Sequence, residues 1–435
     1  MPITGPSRAA VPAPVVSVAP PPELPAVAAR FWRYVQVDTE ADRDSTTTPS
    51  TAKQKDLGRL LARELAELGV ADAEMDAHGY VYGSLPAAPG APRLALLAHV
   101  DTSPDAPGGP VVPQLHRAYD GSVIRLPGDP EVALDPAVSP ELAAHVGHDL
   151  ISSDGTTLLG SDDKAGVAVI MQTVADLVAD PELPRPALAI CFTVDEEIGR
   201  GVDKIDLERL GADVAYTIDG GAVGTFSFET FNAAEATIRV RGVGVHPGYA
   251  KGVMANAATI LSGILAALPA AETPEATSGR EGYFFPHEIG GNVTAATARV
   301  LLRDFAADGL ERRKRLVEEL ARGAAGAHPR ADVEVEITDS YRNMREYIER
   351  TDPRAIAFAF AAAESLGIEL TAELVRGGTD GSRLSEMGLP TPNVFTGGHD
   401  FHSRFEWNTV QNLEASLAYV KALVGYWARH GGEPA

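Results

Sequence analysis

The sequence has one cysteine, Cys191, in 435 residues, which excludes an internal disulfide. Its place in the apolar run ALAICFTV suggests a buried thiol rather than a nucleophile, and a reducing compartment, the cytoplasm, fits. Basic residues are also scarce. Lys and Arg number 37 against 60 Asp and Glu, for a formal net charge of -23, and that argues against nucleic-acid or anionic-membrane partners, which need clustered cations. No apolar run reaches the roughly 18 to 20 residues that span a bilayer. The first 25 residues lack both a charged start and an unbroken apolar core; rich in Pro and Ala, they are expected to be a disordered tail rather than a signal peptide.

What is present is ordered in a repeating way. The runs RLALLAHVD (93–101), ALAICFTVDEE (187–197), DVAYTIDGG (213–221) and TPNVFTGG (391–398) read as strands, each followed by a cluster of Gly, Asp, Glu or His. Helical spacing lies between them, in KQKDLGRLLARELAELG and GVAVIMQTVADLVAD. Near-continuous apolar strands alternating with helices predict an α/β fold on a mostly parallel sheet, with ligands beyond the carboxyl ends of the strands. Residues 233–342 differ: alternating strands and two helices in the order β-α-β-β-α-β predict an inserted ferredoxin-like α+β domain. The parent catalytic domain is then 26–232 with 343–432. Residues 103–153, rich in Pro and Gly, are expected to form an irregular excursion above the sheet.

The chemistry sits at the strand ends. His99 and Asp101, two apart, project from one face of a strand. An imidazole can bind a metal through one nitrogen while the other is held by a carboxylate. LLGSDDKAG places Asp162 and Asp163 at a helix start, where capping explains one of them but not both. Asp195, Glu196 and Glu197 stand side by side at the end of an apolar strand, an arrangement that is costly unless cations neutralise it. Asp219 ends a third strand, and His399 and His402 follow a fourth. Imidazoles and carboxylates from separate strand ends make a mixed nitrogen and oxygen shell that suits zinc, and the surplus of donors suits a pair of ions with one carboxylate left free as a base. The residues alone leave the choice between His399 and His402 open. Glu229 and Asn232, in FETFNAA, are candidates for reading a free amine or for packing a domain junction.

HVDT, TTLLGSDDKAG, FTVDEEIGRG, YTIDGG, VHPG, RGGTDGSRLSEMGLPTPN and FTGGHDFH, in this order, closely resemble the peptidase T family of tripeptide aminopeptidases, among the dinuclear-zinc exopeptidases related to carboxypeptidase G and aminoacylase. The resemblance runs from about Glu23 onward. It implies two zinc ions per subunit, with His99 and Asp219 on one, Glu197 and His402 on the other, and Asp162 bridging them. It makes Glu196 the general base and acid, Asp101 the residue that orients His99, and Asp195 a structural partner. It implies a homodimer formed through the inserted domain, with His246 of VHPG and Arg303 of LLRDF holding the peptide and His246 reaching the partner's site. Thr379 and the glycines of RGGTDGS could line the peptide backbone. The family chemistry is hydrolysis of the first residue from a tripeptide, with a dipeptidase or N-acyl amino acid hydrolase as the alternative on the same metals. His399 is a departure from the family pattern, and the resemblance favours His402.

Overall fold

The computed structural model describes residues 17–87 and 92–433. The apolar runs form an eight-stranded sheet in the order Glu74–Met75, Val81–Leu85, Ala187–Thr193, Arg93–His99, Val214–Gly220, Asn393–Phe395, Thr225–Thr230, Thr371–Val375. Its four central strands are parallel. Val81–Leu85 and Thr225–Thr230 run antiparallel to their inner neighbours, so the sheet is mixed. Leu94 to His99 are all buried, as a strand covered on both faces must be. The helix Ser161–Ala179 packs against the helices Ala26–Val35 and Val410–His430 as well as the sheet. That enclosure explains why its sequence is apolar almost all round.

The second unit follows the expected order: Asn232–Arg241, Ala257–Ala266, Tyr283–Gly291, Ala295–Asp304, Ala307–Ala327, Asp332–Tyr341. Its strands form one antiparallel sheet with Ala295–Asp304 and Asn232–Arg241 in the middle. Alternate residues Ala236, Ile238 and Val240 meet Ile260, Leu261 and Val317 from the two helices in a separate core. Where this unit joins the parent, Asn232 donates through Nδ2 to the carbonyls of Asp304 and Phe305 and accepts from the Asn343 amide. Glu229 is ion-paired with Arg280 and Arg345. Both residues hold the junction together.

Two regions depart from expectation. Residues 1–16 of the tail lie outside the described residues, whereas 17–25 run against the first helix: the Val18 amide donates to Gln36 Oε1 and the Trp32 indole to the Val18 carbonyl. The 103–153 excursion is more regular than its sequence suggests. Gln114–His116 and Leu150–Ser152 join Trp407–Thr409 in a three-stranded sheet, and Tyr119, Leu126, Leu134, Leu142 and Leu150 close a small core around Trp407. Strands of two or three residues are too short to show a period, and their partner lies far along the chain. No helix among the described residues is long and apolar enough to cross a membrane.

Candidate functional site

His99 ends its strand with its ring fully enclosed. Its Nε2 lies 2.9 Å from Asp162 Oδ1 and 3.4 Å from Asp219 Oδ1. His402 Nε2 lies 3.2 Å from Asp162 Oδ2 and 2.9 Å from Glu197 Oε2. Two trios therefore meet at one carboxylate: His99, Asp162 and Asp219 on one side, Asp162, Glu197 and His402 on the other, with the donor atoms of each trio within 4.8 Å of one another. Each oxygen of Asp162 faces a different histidine, the arrangement a bridging carboxylate needs.

The donor set fits a pair of divalent cations. It mixes imidazole nitrogen and carboxylate oxygen, as zinc and neighbouring first-row ions accept. Glu197 Oε1 is buried with no hydrogen-bond partner, a situation a cation would relieve. Hydrogen bonds donated to Asp162 and Glu197 push His402 up to about 11. Burial, reinforced by Asp162, lifts Glu197 to about 8, and burial lifts Asp219 to about 6. Burial opposes a low value for Asp162, yet His402 and His99 hold it below the usual carboxylate range.

The surrounding chain fixes these groups in place. Asp101, fully buried, accepts the amides of Glu196 and Glu197 through its two oxygens, each at 3.1 Å. His99 Nδ1 is 3.0 Å from the Asp101 carbonyl and 3.4 Å from its carboxylate. Asp101 thus braces both the histidine and the acidic turn. Asp195 sits at φ +60 and accepts the Ser50 amide and the Gln54 side chain, so the first of the three acids anchors the turn. Asp163 points away from Asp162: it accepts the backbone amides of His99 and Gly166. This division of labour resolves the double Asp. Gly166 itself must remain glycine, because a Cβ there would stand 1.8 Å from the Ile218 carbonyl oxygen. Gly166→Ala is expected to cost about 1–3 kcal/mol by overpacking, measured as a lower midpoint in urea unfolding.

Glu406 was not singled out in the sequence. It is almost wholly buried, and it accepts the amides of Leu159, Gly160 and Asp162 at 2.8, 2.8 and 3.0 Å, gripping the loop that presents the bridging carboxylate. Asn393 does the same for Asp219, whose amide donates to its Oδ1.

His399 lies outside the cluster. Its ring stacks on Trp407 with centroids 4.1 Å apart, and His145 meets it edge-on. Burial, aided by His145 and opposed by Asp400 and Glu141, depresses it to about 4. The folded chain thus resists a proton that an unfolded His takes up near 6.5, so stability is unaffected above that pH. Between pH 6.5 and 4 it is expected to fall by up to about 3 kcal/mol, and less in His399→Phe, when denaturant midpoints are followed against pH.

Two cavities meet at the cluster and share Glu196, Glu197, Gly378, Thr379 and His402. One, of about 1000 Å³, opens between the two units and carries Arg43, Arg200, Arg303, Arg376 and Arg383. The Arg303 guanidinium lies over the Tyr341 ring and donates to the Ala234 and Leu302 carbonyls. The other, of about 310 Å³, is walled by Asp219, Ser227, Glu373, Leu374, Val375, Asn393 and Phe401, and no Lys or Arg lines it. Glu196 borders both. Burial raises its carboxyl well above the usual range; His99 opposes the shift, and Asp219, Asp380 and Glu197 reinforce it. His246, by contrast, stands on an exposed turn of the second unit, away from both cavities of its own chain, with its Nδ1 accepting from Gly248.

A peptidase dimerisation domain family matches residues 228–330. The structure is similar to a dinuclear metal binding peptidase of the M20 family from Bacillus subtilis (TM-score 0.63, 15% identity, 92% of this chain and 96% of that one). It is also similar to aminopeptidase PepT of Bacillus cereus (TM-score 0.72, 23% identity, 93% and 98%) and to a tripeptidase of Staphylococcus aureus (TM-score 0.74, 21% identity, 93% and 98%). The mixed sheet with its dimerisation domain is the M20 peptidase fold. Within that class the chain belongs to the peptidase T family: it is 45% identical to peptidase T of Desulfitobacterium hafniense over 407 residues, 93% of this chain and 99% of that protein.

Proposed function

We propose that this peptidase removes the first residue from tripeptides. The observation that carries the reading is the unequal lining of the two cavities that meet at the cluster: the larger one has five arginines set among five acids and can meet a peptide's carboxylate end, whereas the smaller has acids and no Lys or Arg and suits its amino end. A peptide laid across the site would place its first peptide bond at the junction and a short remainder in the larger cavity. The relatives named peptidase T and tripeptidase support the same assignment.

In this reading His99, Asp219 and Asp162 hold one zinc ion, and Glu197, His402 and Asp162 hold the other. When bound, such ions polarise a carbonyl and lower the pKa of water. Glu196, outside both trios, takes a proton on its carboxylate from the attacking water and returns it to the leaving amine. A carboxylate bordering both cavities and free of either trio is placed for both transfers. Asp101 keeps the 195–197 turn and the His99 ring aligned while this happens. Arg303 offers its planar fork to the peptide's carbonyl or carboxylate, and Thr379 borders the path. The second unit forms the homodimer, and its exposed turn brings His246 to the partner's cleft.

The test is one mixture of a free tripeptide, its amino-acetylated form and a dipeptide, with products identified by mass spectrometry before and after chelation. Release of the first residue from the free tripeptide alone, abolished by chelator, is expected. Cleavage of the acetylated form or the dipeptide instead would move the chain to an N-acyl hydrolase or dipeptidase reading.

A further inference from the structure

The smaller cavity has a floor built from four neighbouring strands. Thr217, Asn393, Ser227 and Glu373 are register partners across four neighbouring strands, so their side chains form one polar row on a single face of the sheet. Hydrogen bonds along the row follow that order: Thr217 Oγ1 donates to Asn393 Oδ1 at 3.1 Å, and Ser227 Oγ lies 3.5 Å from Glu373 Oε2. Asp219, two residues beyond Thr217, lines the same cavity and marks the metal end. Glu373 marks the far end.

Glu373 differs from the other acids near the cleft. Glu235 is tied to Arg299, Asp339 to Arg342 and Glu229 to Arg280 and Arg345. Among the described residues the hydrogen-bond contact of Glu373 is the long one to Ser227, and the cavity it faces has no Lys or Arg on its walls. Leu374, Val375 and Phe401 line the same cavity and provide apolar wall for a methylene chain.

We infer that Glu373 makes this cavity a specificity pocket for a long cationic first residue, Lys or Arg, an inference that rests on the aminopeptidase reading above. Distance separates this role from recognition of the α-amine. Three strand spacings of about 4.8 Å put the Glu373 row position about 14 Å from the strand that carries Asp219. An α-amine one atom removed from the scissile residue's carbonyl carbon stays beside the cluster, whereas an extended Lys or Arg side chain lays its stem on the apolar wall and carries its charged head away from the cluster, toward the Glu373 end of the floor.

The experiment compares kcat/KM for Lys-Gly-Gly, Leu-Gly-Gly and Glu-Gly-Gly in the wild type, Glu373→Gln and Glu373→Lys, each loaded with zinc. The wild type is expected to favour Lys-first over Glu-first. Glu373→Gln should lower the Lys-to-Leu ratio about two- to fivefold, as an exposed ion pair allows, and Glu373→Lys should reverse the Lys-to-Glu order. Ratios that stay fixed, or a uniform fall for all three peptides as loss of an α-amine contact would give, overturn the inference while leaving the aminopeptidase reading intact. A wild type that turns over none of the three overturns both.

Discussion

Glu196→Ala is expected to keep both cation sites loaded and to lose kcat by about 10²- to 10⁴-fold or more. The carboxylate of Glu196 belongs to neither of the trios that could hold a metal. Its place on the turn depends on its backbone, since the amide donates to Asp101 whatever the side chain. The substitution therefore removes a proton acceptor without loosening the neighbours that surround it. Glu197, one residue on, is the contrast: its Oε2 meets His402 at 2.9 Å and its other oxygen has no partner. Steady-state kinetics on a tripeptide with metal content measured on the same preparation checks the point. An emptied site in Glu196→Ala would make this residue a ligand instead of the base.

Asp162→Ala is expected to have the other large effect, loss of both ions together. Its two oxygens point to His99 and His402, so no other single side chain contributes to both trios. Partners that merely orient a ligand typically change metal affinity 10- to 100-fold. Loss of a shared ligand should exceed that, leaving well under one ion per chain by elemental analysis. Asp219→Ala or Glu197→Ala should instead retain about one. The helix behind Asp162 would survive, because Asp163 still accepts the His99 and Gly166 amides. Far-ultraviolet circular dichroism should accordingly be unchanged in Asp162→Ala.

Much of this is legible in the sequence. Apolar strands ending in Asp, Glu or His announce their own place in a parallel sheet, and the six elements of the second unit have full-length strands and helices whose periods survive in sequence. The side chains that support the site were harder to see. Glu406 grips the Asp162 loop from 244 positions away, and nothing in HSRFEWN reports that contact. His399 and His402 share one motif; what separates them is local geometry. Asp400 and His402 both take positive φ, which turns the second imidazole into the cluster while the first stays flat on Trp407. The polar row ending at Glu373 is likewise invisible in a linear reading, because its four members come from four strands whose order is set only by the sheet.

Anomalous diffraction from crystals of the zinc-loaded protein tests the central claim most directly. The account predicts two peaks about 3.5–4 Å apart, one on each side of the Asp162 carboxylate, with His99 and Asp219 on one and Glu197 and His402 on the other. A single peak, or peaks away from Asp162, would contradict it.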